Sequence, residues 1–305
     1  MKTPVVFLIF NRPDTTARVF AEIRRAKPPK LLVVADGPRT DQRGEEELVA
    51  ATRAIVDQVD WPCEVIKNYS DTNLGCKKRV SSGIDWVFST VEDAIILEDD
   101  CLPDPSFFPF CEELLEKYRN DERIGQIGGV NFQFGDNATE YSYYFSRYSH
   151  IWGWASWRRA WQGYDVEIKN WKEVRKTKQL QGIFEGKEVI DYWTDIFNRV
   201  YYNKIDTWDY QWSFHLMINR MLTILPHVNL VSNIGFNRDA THTTGESRFN
   251  NMGRGHIRFP LMHPSNVARN VSADKYTEMN HYMIQFEQGI VDKIRNKLRQ
   301  LKNAV

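Results

Sequence analysis

The sequence has no surplus of either charge, since Lys plus Arg and Asp plus Glu both number 40 in 305 residues. Without a bulk field there is no electrostatic footprint for nucleic acid, and that partner class is excluded. Long apolar runs are missing as well: no stretch approaches the ~20 residues of a membrane span. The opening run, residues 5–10, is shorter than a signal peptide's apolar region and is closed by Asn11, Arg12 and Pro13. Cysteine is scarce. Cys63, Cys76, Cys101 and Cys111 show no CxxC or Cys/His metal spacing, and they are too few to staple a chain of this length. Reduced thiols are expected, in a protein of the cytoplasm or peripheral at the inner face of a membrane. Two phosphate-binding signatures are also absent. No Gly-rich dinucleotide fingerprint follows the first apolar run, and there is no GxxxxGK[ST] loop.

What is present belongs to an ordinary globular protein, 42% hydrophobic and 26% charged. Aromatics reach 13%, with ten Trp, a supply that suits sugar faces and ordinary cores alike. Short Val/Ile/Leu-rich runs at 4–10, 31–35, 63–67 and 94–97 alternate with helical spacing over 13–26, 41–58 and 76–90. That alternation predicts an α/β fold with a mostly parallel central sheet flanked by helices. Beyond residue 105 the pattern predicts helices over 106–118, 187–202 and 210–221, with Asp104 capping the first of them. Extended segments are expected at 124–134, 141–145 and 222–231. A polar loop follows over 237–254, and an amphipathic helix over 279–301.

Ligands of such sheets bind beyond the carboxyl ends of the strands. Those ends carry Asn11 and Arg12, then Asp36, then Asn68, and finally Glu98, Asp99 and Asp100. Three adjacent carboxylates raise one another's pKa unless a cation neutralises them. A hard divalent ion would do so and would also hold the oxygens of a diphosphate. A solvated turn with a helix-capping acid is the alternative for the triplet.

The segment IILEDDCLPDPSFFPFCEELLEKY, residues 95–118, resembles the strand–EDD–helix signature of GT-A-fold glycosyltransferases. It is most similar to the N-acetylglucosaminyltransferase I type and to bacterial sugar transferases of the hemolytic protein HlpA-like type. The resemblance runs in outline over residues 4–250. It implies a GT-A-like, Rossmann-like nucleotide-diphosphosugar transferase fold. Asp36 would be the second-strand acid near the nucleotide base, and Gly153-Trp154 the segment near the acceptor. Trp208-Asp209-Tyr-Gln-Trp212 resembles the aromatic-Asp segment that holds the catalytic base. The loop GFNRDATHTTG, residues 235–245, resembles the one that orders over the donor diphosphate. By the same resemblance Asp100 contacts the metal, Mn2+ or Mg2+, while Glu98 and Asp99 help to position the donor. The chain departs from the family's animal members in showing no membrane anchor, and its donor-sugar pocket does not carry over N-acetylglucosamine.

Each further candidate has a second reading. Asn11 and Arg12 would meet the base or phosphate, though Arg12 also suits an ion pair at a helix start. Asp36 begins a good turn sequence with Gly37, Pro38 and Arg39. Lys77 and Arg79 open a helix whose N-terminus would attract diphosphate, or they form a solvated basic face. Asp209 is either a general base or a helix cap, roles that can coexist, with Asp206 and Asp239 next in line as bases. Trp208 and Trp212, which flank Asp209, would wall the donor sugar, and Trp154 is a further donor-binding candidate. His242 would touch phosphate or metal, or be a structural loop residue.

These readings combine into a metal-dependent inverting glycosyltransferase. A UDP-sugar is the expected donor, and a glycan or lipid-linked sugar the acceptor, as in polysaccharide biosynthesis. A nucleotidyltransferase acting on sugar phosphates is the alternative, although residues 10–13 lack its phosphate loop. A non-enzymatic carbohydrate-binding or hemolysin-like protein is another. Residues 1–120 are expected to form the nucleotide-sugar-binding half and 121–260 the acceptor-binding and catalytic half of the same domain. Residues 261–305 form a C-terminal extension whose basic, amphipathic helix would meet a membrane surface or a second copy of the chain.

Overall fold

The computed structural model describes residues 1–135, 139–235, 249 and 251–284. Its first hundred residues obey the alternation of the sequence. They run β1 (Val5–Ile9), α1 (Pro13–Ala26), β2 (Lys30–Ala35), α2 (Glu45–Val56), β3 (Glu64–Tyr69), α3 (Gly75–Thr90) and β4 (Asp93–Glu98). β1 is buried along its whole length, as a central strand covered on both faces must be. α1 begins at a proline, whose fixed φ suits the first turn and whose missing N–H leaves nothing unpaired there. Its buried stripe is Thr15, Thr16, Val19, Phe20 and Ile23. α3 comes unusually near the sheet through Gly83, where a Cβ would lie 2.5 Å from Val34 Cγ1.

After β4 come β5 (Cys101–Pro103), α4 (Phe107–Lys117), β6 (Ile124–Gly128), β7 (Tyr143–Ser146), β8 (Trp154–Trp157) and the short α5 (Arg158–Trp161). Asp104 does not cap α4, whose cap position is Ser106; it lies two residues earlier and accepts from the Ser106 N–H at 2.9 Å. Three helices then gather over their own aromatic core: α6 (Trp171–Lys176), α7 (Lys187–Tyr201) and α8 (Asp209–Ile218). β9 (Leu222–Pro226), β10 (Val231–Asn233) and α9 (Val271–Asn280) complete the described chain.

The main sheet has the order β3-β2-β1-β4-β8-β6-β9-β7. β3, β2, β1 and β4 are parallel; β8 runs against β4, β6 and β9 return to the first direction, and β7 opposes β9. The expected α/β architecture with a mostly parallel central sheet is therefore present. Three details differ from the sequence reading. The extended segment expected over 124–134 stops as a strand at Gly128, because Gly129 turns to donate its N–H to Gly153 O at 2.8 Å. Residues 151–164, rich in Trp, supply the antiparallel β8 that separates β4 from β6. β5 and β10 form a separate two-stranded ribbon. Among the described residues no helix is long and apolar enough to cross a membrane. The expected helix over 279–301 lies outside the described residues from 285 onward.

Candidate active site

Four parallel strands stop together, and the turns beyond β1 and β4 converge. Phe10 donates its N–H to Asp99 Oδ2 at 3.0 Å, and Arg12 Nη1 reaches Asp100 Oδ2 at 2.8 Å and Asp99 Oδ1 at 3.8 Å. The acids are held in a poorly hydrated place. Burial pushes Glu98 well above the usual carboxylate range, and the charges of Asp100, Asp99 and Asp209 add to that. Asp99 is pushed up to about 7, first by burial and then by Asp100. Arg12 is the cation opposing both shifts. Glu98 Oε1 is buried without a hydrogen-bond partner. An orphaned carboxylate oxygen beside two further acids and one guanidinium marks a deficit of positive charge.

A deficit of that kind suits a divalent cation. Among the described residues no group of three or more His, Cys, Asp or Glu side chains could by itself hold a metal ion. Mg2+-type sites commonly use one or two carboxylates and take their remaining oxygens from substrate phosphates and water. Asp100 suits that arrangement. Its Oδ1 meets the Cys101 thiol at 3.5 Å, and its main-chain oxygen is fixed by the Ile234 N–H at 2.8 Å. Gly235 passes so close that a Cβ would lie 2.2 Å from Asp100 Oδ2. The segment resembling a donor-covering loop thus begins against this carboxylate. His242 and Asp239 lie outside the described residues.

Asp209 is the first residue of α8 and accepts from the Thr207 hydroxyl. Its charge acts on Glu98 and, with Glu98, Asp206 and Asp36, on Cys76, whose thiol is pushed up to about 12 chiefly by burial. The charge of Asp209 therefore reaches Glu98 of the triplet. Asp206 is exposed. Cys76 stands among four carboxylates, and a sequence reading has no signal for that beyond its place at the start of α3.

Other expected donor contacts are engaged within the protein. Asp36 accepts from Gly37 N–H at 2.9 Å, Leu74 N–H at 2.9 Å and Gly75 N–H at 3.0 Å, closing the N-terminus of α3 with a carboxylate. Lys77 donates to Asn203 Oδ1 and pairs with Glu167, both at 2.9 Å. Arg79 donates to Ala35 O at 3.1 Å and Asn68 Oδ1 at 2.8 Å, tying the ends of β2 and β3. Asn11 donates to Glu45 Oε1 at 2.9 Å, and Glu45 also pairs with Arg39. Sequence spacing gave no hint of Glu45 or Arg39. Trp154 and Trp208 are 0% and 1% exposed and stack on each other, ring centroids 5.8 Å apart. Neither presents a face to solvent, because Trp154 packs on Trp208, Trp161 and Trp212. The Tyr164 hydroxyl donates to Trp208 O at 2.9 Å, fixing the residue before Asp209.

No family model matches the chain, and no curated protein matches it by sequence. Among solved structures it is similar to the galactosyltransferase LgtC in complex with donor and acceptor sugar analogues, at 10% identity over 94% of this chain and 98% of that one, with a TM-score of 0.37. It is similar to 4-diphosphocytidyl-2C-methyl-D-erythritol synthase from Anaerococcus prevotii at 9% identity, over 67% and 84% of the two chains, with a TM-score of 0.32. A UDP-glucose pyrophosphorylase complexed with UDP-glucose matches at 13% identity and a TM-score of 0.27, over 48% of this chain and 62% of that one. The chain spans less than two thirds of that pyrophosphorylase.

Proposed function

We propose that this protein is a metal-dependent glycosyltransferase moving a sugar from a nucleotide-diphosphate donor, a UDP-sugar, to a hydroxyl of a saccharide acceptor with inversion. The observation that carries the reading is the gathering of Glu98, Asp99, Asp100 and Asp209 beyond the ends of parallel strands, opposed by Arg12. A divalent cation, Mn2+ or Mg2+ on Asp100, would supply the charge that neutralises the leaving diphosphate. Arg12 would bind the same phosphates, since guanidinium matches their oxygens. Glu98 and Asp99 would orient the donor from beside it.

Asp209 is separated in the chain from the triplet and begins a helix, so it is free of the strand-end geometry that fixes the other three. As the acceptor oxygen attacks the anomeric carbon and the bond to the diphosphate breaks, Asp209 would take the hydroxyl proton. Thr207 holds its carboxylate in place. The chemistry then needs charge stabilisation, positioning and one base.

The test is a pair of variants assayed for sugar transfer and for nucleotide binding with and without Mn2+. General-base catalysis contributes ~10²–10⁴-fold, so Asp209→Asn is expected to slow turnover by about that factor with donor affinity little changed. Asp100→Asn is expected to abolish both turnover and the Mn2+ dependence of nucleotide binding. Asp209→Asn retaining more than about half the rate would remove it as the base.

A further inference from the structure

α9 carries its side chains the opposite way from an ordinary surface helix. It buries Ala273, Asp274, Thr277 and Glu278, whereas Val271 is 54% and Met279 52% exposed, with Lys275 between them. A helix facing water turns its apolar side inward. The buried polar groups fix this orientation. Ser146 Oγ donates to Asp274 at 2.6 Å, the Tyr148 hydroxyl to Glu278 at 2.5 Å, and Gln133 Nε2 to Thr277 Oγ1 at 3.2 Å. Held beside β7 by these bonds, α9 keeps Val271 and Met279 outward. Met283 is fixed in the same way. The Ile284 N–H donates to Glu278 O at 2.9 Å and Ile284 is buried, while the Tyr282 ring meets Tyr148 and Trp193, each with centroids 5.1 Å apart. Met283, between these two anchors, is 71% exposed. α9 ends at Asn280, so Met279 and Met283 belong to this fixed surface rather than to the helix expected over 279–301.

The chain leaves this surface at Ile284. Residues 285–305 lie outside the described residues, and their sequence keeps the same character. Ile290, Ile294, Leu298 and Leu301 recur at helical spacing, and Lys293, Arg295, Lys297, Arg299 and Lys302 follow Asp292 with no acid among them. Apolar side chains beside a run of bases suit an anionic lipid surface. The apolar groups enter the headgroup boundary, and the bases meet its negative potential. A second copy of the chain has no net charge and so offers those bases no surplus of acid. We infer that the outer face of α9, with Met283 and the segment that follows, is a docking surface for an anionic bilayer. The inference is independent of the transferase reading.

Co-sedimentation of the full chain with lipid vesicles tests it, with no sugar or nucleotide present. The chain is expected to bind phosphatidylcholine vesicles that contain phosphatidylglycerol, and to bind them less as salt is raised. On phosphatidylcholine alone binding should be at least about tenfold weaker, because the lipid charge that the bases meet is gone. Met279→Ser combined with Met283→Ser should weaken binding to the anionic vesicles about tenfold, the size of two partly inserted side chains. The melting temperature of that variant should stay at the parent's, since both side chains are exposed. Lys297→Gln, Arg299→Gln and Lys302→Gln together should weaken binding about a hundredfold and flatten its salt dependence. No sedimentation, equal binding to pure phosphatidylcholine, or indifference to both sets of substitutions overturns the docking surface. So does a dimer in light scattering that Met279→Ser with Met283→Ser dissolves, since a second copy then covers the face.

Discussion

Replacing Arg12 by Met isolates the charge deficit on which the site is built. Methionine keeps most of the apolar stem and removes the guanidinium that pairs with Asp100 at 2.8 Å and with Asp99 at 3.8 Å. With charge centres about 4 Å apart and an effective dielectric of about 20, one such pair is worth about 4 kcal/mol. The Arg12 side chain keeps 26% of its exposure, so water screens part of that attraction. We expect a loss of about 2–3 kcal/mol, slightly below the usual cost of breaking a buried pair. In a chain of this length that lowers the melting temperature by roughly 3–5 °C. The loss should be greatest where the acids are ionised. Glu98 and Asp99 already sit above their ordinary values in the fold, so their ionisation destabilises it as pH rises through those values. The variant is therefore expected to fall furthest behind near pH ~8 and to recover part of that difference near pH ~5. Mn2+ at millimolar concentration should restore more stability to the variant than it adds to the parent, because it supplies the missing positive charge. Thermal melts across pH, with and without Mn2+, measure all of this. A pH-independent loss, or a Mn2+ response no larger than the parent's, refutes the reasoning.

Two further substitutions probe separate features. Gly235→Ala adds a Cβ that would lie 2.2 Å from Asp100 Oδ2, so the carboxylate or the strand end must move. Nucleotide affinity with Mn2+ should drop about tenfold or more, while far-ultraviolet dichroism stays that of the parent; unchanged affinity by calorimetry argues against Asp100 as the cation's ligand. Asp274→Asn concerns α9, where burial pushes the carboxyl up to about 6 although Ser146 donates to it at 2.6 Å. A raised acid contributes stability at low pH that is lost as pH climbs through its folded value, here roughly 3 kcal/mol. The variant should therefore gain on the parent between pH ~4 and ~6.5, read from urea midpoints, and a constant difference across that range contradicts the assignment.

The parallel half of the sheet was legible because β1, β2 and β4 are buried on both faces and so read as unbroken apolar runs. α1 was legible to its end residues, since Pro13 starts it and its apolar spacing stops where the chain turns at Lys27. β8 was not legible. Four residues, Trp-Ala-Ser-Trp, are too few to show a period, and a strand between two others needs no polar face. β5 and β10 are three residues each and exist because they pair with each other across the chain, which no local pattern reports. The acids of the site were legible as an unusual cluster at a strand end. The burial of Trp154 and Trp208 was not, because an indole that packs and one that binds look alike in a sequence. The engagement of Asp36, Lys77 and Arg79 was hidden for a related reason: their partners, Leu74, Glu167 and Asn68, lie elsewhere along the chain.

The β5–β10 ribbon has a consequence for how the protein comes into being on the ribosome. Cys101 is made long before its partner Asn233, and the N–H that fixes the Asp100 carbonyl belongs to Ile234. Until that stretch emerges, the nascent chain carries all three acids of the triplet and Arg12, yet the open edge of β4 waits for β8 as well. Such distant pairings are closed late because their loop entropy must be met first. Residues 1–120 carry Arg12 and the triplet, but the edge of β4 and the turn at Asp100 are closed by residues beyond them. The turn that arms the site is completed by the second half of the chain.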